Sequence, residues 1–195
     1  MGKIILASSS PRRNTILKNL GMKFEVIPSK CDESAPNIPP EEMVCYIAKK
    51  KAMDVKNRCS REDVIIAADT VVSIDNKIIG KPQNKQEAFD TLRNLSGREH
   101  KVITGICIMC EDSNVCYQGF EVTKVFFKSL SDEEIWDYIN TSEPLDKAGS
   151  YGIQGFGGLF VEKIDGCYYN VVGLPIKIIY KVFREMGINL LKEEV

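Results

Sequence analysis

Two stretches of this chain, Ile4-Ile5-Leu6-Ala7 and Val64-Ile65-Ile66-Ala67-Ala68, are continuous apolar runs. A strand with one wet face alternates apolar and polar residues; an unbroken run has to be covered on both faces. Helices are the usual cover, so the runs call for a sheet layered with helices. Each run ends abruptly in polar residues, Ser8-Ser9-Ser10 after the first and Asp69-Thr70 after the second. In open α/β sheets ligands bind just beyond the carboxyl ends of strands.

The rest of the chain alternates short β runs with helical stretches. Ser10 and Pro11 suit the N-cap and first position of a helix carrying Ile16, Leu17 and Leu20 inward. Phe24–Ile27 reads as a strand. A Pro-rich loop over 34–40 leads to a helix at about 41–56, with Val44, Ile47, Ala48 and Val55 inward. Val71–Ile74 continues the second apolar run, turns at Asp75-Asn76 and returns through Lys77–Ile79 as a hairpin. Asn84 with Glu87, and Ser131 with Glu134, have capping-box spacing for two further helices. His100–Cys110 and Val115–Lys128 are long β runs. Leu159–Ile164 and Tyr168–Val172 read as another β pair turning at Asp165-Gly166. A last helix runs from about Pro175 to Gly187. The expected class is α/β with a mixed sheet, not a purely doubly wound one.

A length of 195 residues suits one domain, or two small lobes around one cleft. Net charge is −1, which argues against broad nucleic-acid binding but leaves room for a local cationic pocket. Mean hydropathy is −0.15, and no apolar run approaches the roughly 18 residues of a membrane span. Seven cysteines, an odd number without a secretion signal, read as free thiols in a reducing cytoplasm. Cys107 and Cys110 form a C-x-x-C, but inside a β run, where core packing is the plainer reading.

Five segments carry candidate chemistry. Ser8, Ser10, Arg12 and Arg13 sit where a helix N-terminus would meet phosphate, and planar guanidinium forks suit phosphate oxygens. The plainer alternative is a helix cap followed by two solvated arginines. Asp69, at a strand end, could hold a metal or accept a proton from water; a turn aspartate is the rival. Asp32-Glu33 could supply oxygen ligands to Mg²⁺, or be a solvated acidic loop. Lys81 is presented by Gly80 and Pro82, and Lys51 follows Lys49 and Lys50, so both are phosphate partners or a basic patch. The glycine-rich stretch from Asp146 to Gly155 holds Lys147 and Gln154, whose amide can both donate to and accept from a base edge. Neither G-x-G-x-x-G nor the P-loop motif is present. His100 fits a structural hydrogen bond better than catalysis.

Together these segments resemble the Maf family of nucleotide pyrophosphatases over essentially the whole chain. The resemblance rests on Ala7 through Arg13, Ala48 with Lys51-Ala52, Ala68-Asp69-Thr70-Val71-Val72 and Gly80-Lys81-Pro82. It continues through Ser96-Gly97, Thr104-Gly105, Glu143-Pro144-Leu145-Asp146-Lys147-Ala148-Gly149, Tyr151-Gly152-Ile153-Gln154-Gly155 and Asn170 to Pro175. It implies one domain over 1–195, an elongated mixed sheet with flanking helices and two lobes around a deep cleft, related to the inosine-triphosphate pyrophosphatases. It implies cleavage between the α- and β-phosphates with Mg²⁺ or Mn²⁺, Asp69 as proton acceptor, and Arg12, Thr70 and Gln154 as specificity positions. Ser8, Arg13, Glu33, Lys51, Lys81 and Lys147 map to other cleft positions, with Glu33 and Asp69 toward the metal. The Tyr151–Gly155 segment looks like the branch acting on dTTP and UTP, and the family suggests a homodimer. The alternatives are a pyrophosphatase for 7-methyl-GTP or ITP-like purines, and a nucleotide-binding regulator of septum formation with little catalysis.

Overall fold

Strand β1 (Ile4–Leu6) is buried at every residue, as its unbroken apolar character requires. In the computed structural model, which describes residues 2–191, it lies between two parallel neighbours. Strand β2 (Glu25–Val26) pairs on one side and β3 (Val64–Ile74) on the other, with Ile5 opposite both Glu25 and Ile65. Between them come α1 (Pro11–Asn19) and α2 (Pro40–Lys56). β3 turns back antiparallel into β4 (Lys77–Ile79) through Asp75 and Asn76, whose φ values of 51° and 61° are those of a tight hairpin turn. Then follow α3 (Lys85–Leu95), β5 (Glu99–Cys110), β6 (Val115–Phe127) and α4 (Asp132–Asn140). β7 (Val161–Asp165), α5 (Tyr168–Val172) and α6 (Ile176–Glu185) complete the order. Among the described residues the sheet has seven strands, ordered β2-β1-β3-β5-β6-β7 with β4 on β3. It is mixed, as expected: β1 pairs are parallel, and β3–β4 and β6–β7 are antiparallel. No helix among the described residues is long and apolar enough to cross a membrane.

The chain forms two compact units. The first takes the chain up to Asp69, Thr104–Glu121 and the chain from Gly173. In it, Ala48, Ala52 and Val55 of α2 pack on Ile5, Ala7, Ile65, Ala67, Cys107 and Met109. The small residues matter: a Cβ on Gly105 would strike the Val44 carbonyl, so α2 lies against the β5 backbone itself. The second unit takes Thr70–Ile103 and Val122–Val172. Its core joins Leu92 and Leu95 of α3, Ile135 and Ile139 of α4, Val102, Val125, Phe127, Tyr151 and Phe160. Leu20, expected inward on α1, is instead 38% exposed, because α1 ends at Asn19 and only Ile16 and Leu17 reach the core.

One expected element is different. Tyr168–Val172 is a helix, not a strand, and Val161–Asp165 pairs with β6. Phe156–Phe160 forms a 3₁₀ turn, so the strand starts at Val161 and not at Leu159. The cause is polar and long-range. The fully buried Asn170 donates to the Val102 carbonyl at 3.0 Å and to Thr123 Oγ1 at 2.9 Å. Cys167 N–H donates to that same Thr123 oxygen, whose hydroxyl donates to the Cys167 carbonyl. These bonds fold an apolar run of β character back as one helical turn.

Candidate active site

The first unit builds its polar centre from the residues after β1 and from the middle of β3: the strand runs unbroken from Val64 to Ile74, so Asp69, expected at a strand end, lies inside the strand. Ser10 caps α1 in extended conformation and its Oγ accepts from Arg13 N–H, with Pro11 next, as the sequence predicts. The cap turns Arg13 inward, where it is 9% exposed. Arg13 Nε donates to the Gly173 carbonyl at 2.8 Å and Nη1 to Ser8 Oγ at 3.0 Å. Ser8 Oγ also accepts from Ser10 N–H at 3.2 Å. Burial lowers the Arg13 pKa, and the charge of Asp69 opposes that shift. Arg12, half-buried beside it, adds a second guanidinium. A fixed, desolvated guanidinium at a helix N-terminus is a strong anion-binding arrangement.

Asp69 lies on β3, 9% exposed. Lys51 Nζ reaches its Oδ1 at 2.8 Å and Glu33 Oε2 at 3.0 Å. Lys51 is 7% exposed, so it is not part of a solvated basic patch. The helix explains the difference: Val44, Ile47, Ala48, Lys51, Ala52 and Val55 form one buried stripe of α2 at helical spacing, which excludes Lys49 and Lys50. Asp32 and Glu33 separate. Asp32 is exposed and accepts from the Ser34 amide and hydroxyl, which lower its pKa. Glu33 alone turns to Lys51.

In the second unit, Thr70 follows Asp69 along β3. Lys81 is exposed after β4. The Gly80 carbonyl before it accepts from Gly149 N–H at 3.1 Å, so the turn bearing Lys81 is tied to the glycine-rich segment. Gly149 has a φ of 71°, and a Cβ there would strike Val72; both reasons require glycine. Lys147 Nζ bonds the Glu143 carbonyl at 2.7 Å and Asp146 at 2.6 Å. Gln154 is exposed within a turn. Thus Ser8, Arg13, Glu33, Lys51 and Asp69 are gathered in one unit, and Thr70, Lys81, Lys147 and Gln154 belong to the other.

The profile of the Maf-like protein family matches residues 3–186. The chain belongs to the Maf family. It is 47% identical to a dTTP/UTP pyrophosphatase of Caldicellulosiruptor saccharolyticus, over the whole of both chains. It is 50% identical to a dTTP/UTP pyrophosphatase of Thermococcus kodakarensis, covering 96% of this chain and 98% of that one. Among solved structures, a HAM1 protein from Coxiella burnetii superposes with a TM-score of 0.52 at 14% identity, covering 95% of this chain and all of that one, which shows a shared fold.

The Maf-family chain has two carboxylates, Glu33 and Asp69, converging on one ammonium. Among the described residues no three His, Cys, Asp or Glu side chains group closely enough to hold a metal by themselves. Mg²⁺ needs no such cage; it is commonly held by one or two carboxylates together with water and substrate phosphates. Glu33 and Asp69 fit that donor set. His100 lies elsewhere, in the core of the second unit, with Nε2 2.8 Å from Tyr151 Oη. Cys107 and Cys110 are buried on β5, and burial pushes the Cys107 thiol up to about 12, unsuited to a reactive thiolate. The residue that sequence reasoning missed is Glu143; its place in the Glu-Pro-Leu-Asp-Lys-Ala-Gly motif was the available signal.

Proposed function

We propose that this chain hydrolyses dTTP and UTP to the monophosphate and pyrophosphate. The observation that carries the reading is Lys51, buried and holding Asp69 and Glu33 in the unit that turns Arg13 inward from α1. The substrate rests on near-half identity, end to end, with proteins named dTTP/UTP pyrophosphatase. A triphosphate is a concentrated polyanion, so cleavage calls for positioned cations more than for a protein nucleophile. In this reading Ser8, Ser10, Arg12, Arg13 and the first amides of α1 bind phosphate oxygens. Lys51, Lys81 and Lys147 add positive charge. Asp69 accepts the proton of the attacking water, and Glu33 and Asp69 hold a divalent cation, Mg²⁺ or Mn²⁺. Such a cation, when bound, supplies Lewis-acid polarisation of the phosphoryl oxygens. Thr70 lies against the base and Gln154 pairs with its O4/N3 edge. The reading treats residues 1–195 as one catalytic domain of a cytoplasmic homodimer that binds neither nucleic acid nor membrane.

Pyrophosphate release with Mg²⁺ or Mn²⁺, across dTTP, UTP, CTP, 7-methyl-GTP, ITP and ATP, tests this. We expect release chiefly from dTTP and UTP. Asp69→Asn should lower kcat by about 10²–10⁴-fold with the fold intact, as loss of a general base does. Preference for 7-methyl-GTP or ITP would replace the substrate assignment. Binding with no release from any of them would point to a nucleotide-binding regulator.

A further inference from the structure

Gln154 sits in a β-turn. Gly155 N–H donates to the Gly152 carbonyl at 3.3 Å, with Ile153 and Gln154 at the centre. A turn flanked by glycines has little preference of its own for one conformation. Its two feet are held from outside. Gly152 N–H donates to Tyr138 Oη at 3.3 Å, and Tyr138 O–H donates to Glu143 Oε1 at 2.9 Å. On the other side Gly157 N–H donates to the same Oε1 at 3.2 Å, and Phe156 N–H to Oε2 at 2.9 Å. One carboxylate therefore closes a ring of hydrogen bonds around the turn. A Cβ on Gly155 would strike this carboxylate, and one on Gly157 would crowd Tyr138 Oη, so both positions admit the clamp only as glycine. Tyr138 is itself fixed, 4% exposed and edge-on to Phe160 at 5.0 Å between ring centres.

We infer that Glu143, with Tyr138 as its relay, is a positioning residue: it sets where the Gln154 turn stands and thereby the selectivity for the base. The inference rests on the base-reading role proposed above for Gln154. Bonds from backbone N–H to a carboxylate are stronger than neutral ones, so Glu143 restrains the turn more firmly than an amide would. A reading group is only as exact as the shell that holds it.

The test is kcat and KM for dTTP, UTP and CTP, with unfolding midpoints, in the full chain carrying Glu143→Ala, Glu143→Gln, Tyr138→Phe or Gln154→Ala. Glu143→Ala should raise KM for dTTP and UTP about tenfold and leave kcat within about threefold, the pattern of a lost binding contact that serves substrate and transition state alike. It should also narrow the preference for dTTP over CTP, and Gln154→Ala should do the same. Glu143→Gln keeps one acceptor oxygen and should recover part of both. Tyr138→Phe keeps the ring and should shift KM in the same direction; it decides the matter with Glu143→Gln if the alanine variant does not fold. A lowered midpoint with wild-type KM and selectivity in the Glu143 variants would make Glu143 merely structural and overturn the inference alone. Wild-type selectivity in an active Gln154→Ala enzyme would overturn the base-reading role and this inference together.

Discussion

At the scale of single residues, two buried ionisable groups stand in opposite surroundings. Lys51 has its carboxylates close by, Asp69 at 2.8 Å inside the unit and the more exposed Glu33 at 3.0 Å. His100, 1% exposed, has no counter-charge among the described residues: it packs against Tyr151 and Phe127, and burial moves its pKa down to about 4. A neutral ring leaves one nitrogen without a proton, and Nδ1, which has no hydrogen-bond partner among the described residues, suits that role. The folded pKa lies below the unfolded value of about 6.5, so the unfolded chain binds the proton first as pH falls. The contribution of this histidine is therefore whole above about pH 6.5 and is lost toward pH 4, by up to about 3 kcal/mol. We expect the unfolding midpoint to fall with pH across that window more steeply in the wild type than in His100→Gln. Parallel curves would show that another group controls the slope. The role of Lys51 was half legible from sequence: its place on the apolar stripe of α2 separates it from Lys49 and Lys50, but its carboxylate partners come from residues 18 positions on and 18 positions back.

At the scale of elements, local chemistry decided most boundaries. Ser131 and Glu134 form a full capping box, Ser131 Oγ accepting from Glu134 N–H at 3.2 Å and Glu134 accepting from Ser131 N–H at 2.9 Å. Asn84 makes only half of one: its side chain accepts from Glu87 N–H, while the Glu87 carboxylate goes to Gln83 N–H. Ser131→Ala should lower stability by about 1 kcal/mol, the usual cost of a lost cap, seen as a lower midpoint in thermal unfolding. An unchanged midpoint would mean α4 is held by the packing of Ile135 and Ile139 alone. Where local chemistry was ambiguous, it misled. Tyr168–Val172 has the composition of a strand, and only Asn170 and Thr123, 47 positions apart, make it a helix.

At the scale of the whole molecule, binding is the measurable consequence. A non-hydrolysable dTTP analogue with Mg²⁺ should stabilise the folded chain by about 2.7 kcal/mol at a hundred times its Kd, as any ligand of the native state does. The rise in unfolding midpoint should be larger than with the CTP analogue at equal concentration. Equal rises would locate recognition in the phosphates alone, and no rise with either would remove the nucleotide from the account.

The strands β1 and β3, the caps at Ser10 and Ser131, the hairpin at Asp75-Asn76 and the serines that follow β1 were determined by the sequence alone. Each depends on neighbours within a few positions, where periodicity and side-chain chemistry act directly. The pairing of Lys51 with Asp69 and Glu33, the helix at Asn170 and the Glu143 clamp on the Gln154 turn were decided by tertiary structure. They depend on buried polar groups finding partners, and a buried donor or acceptor takes the partner that the packed fold brings to it.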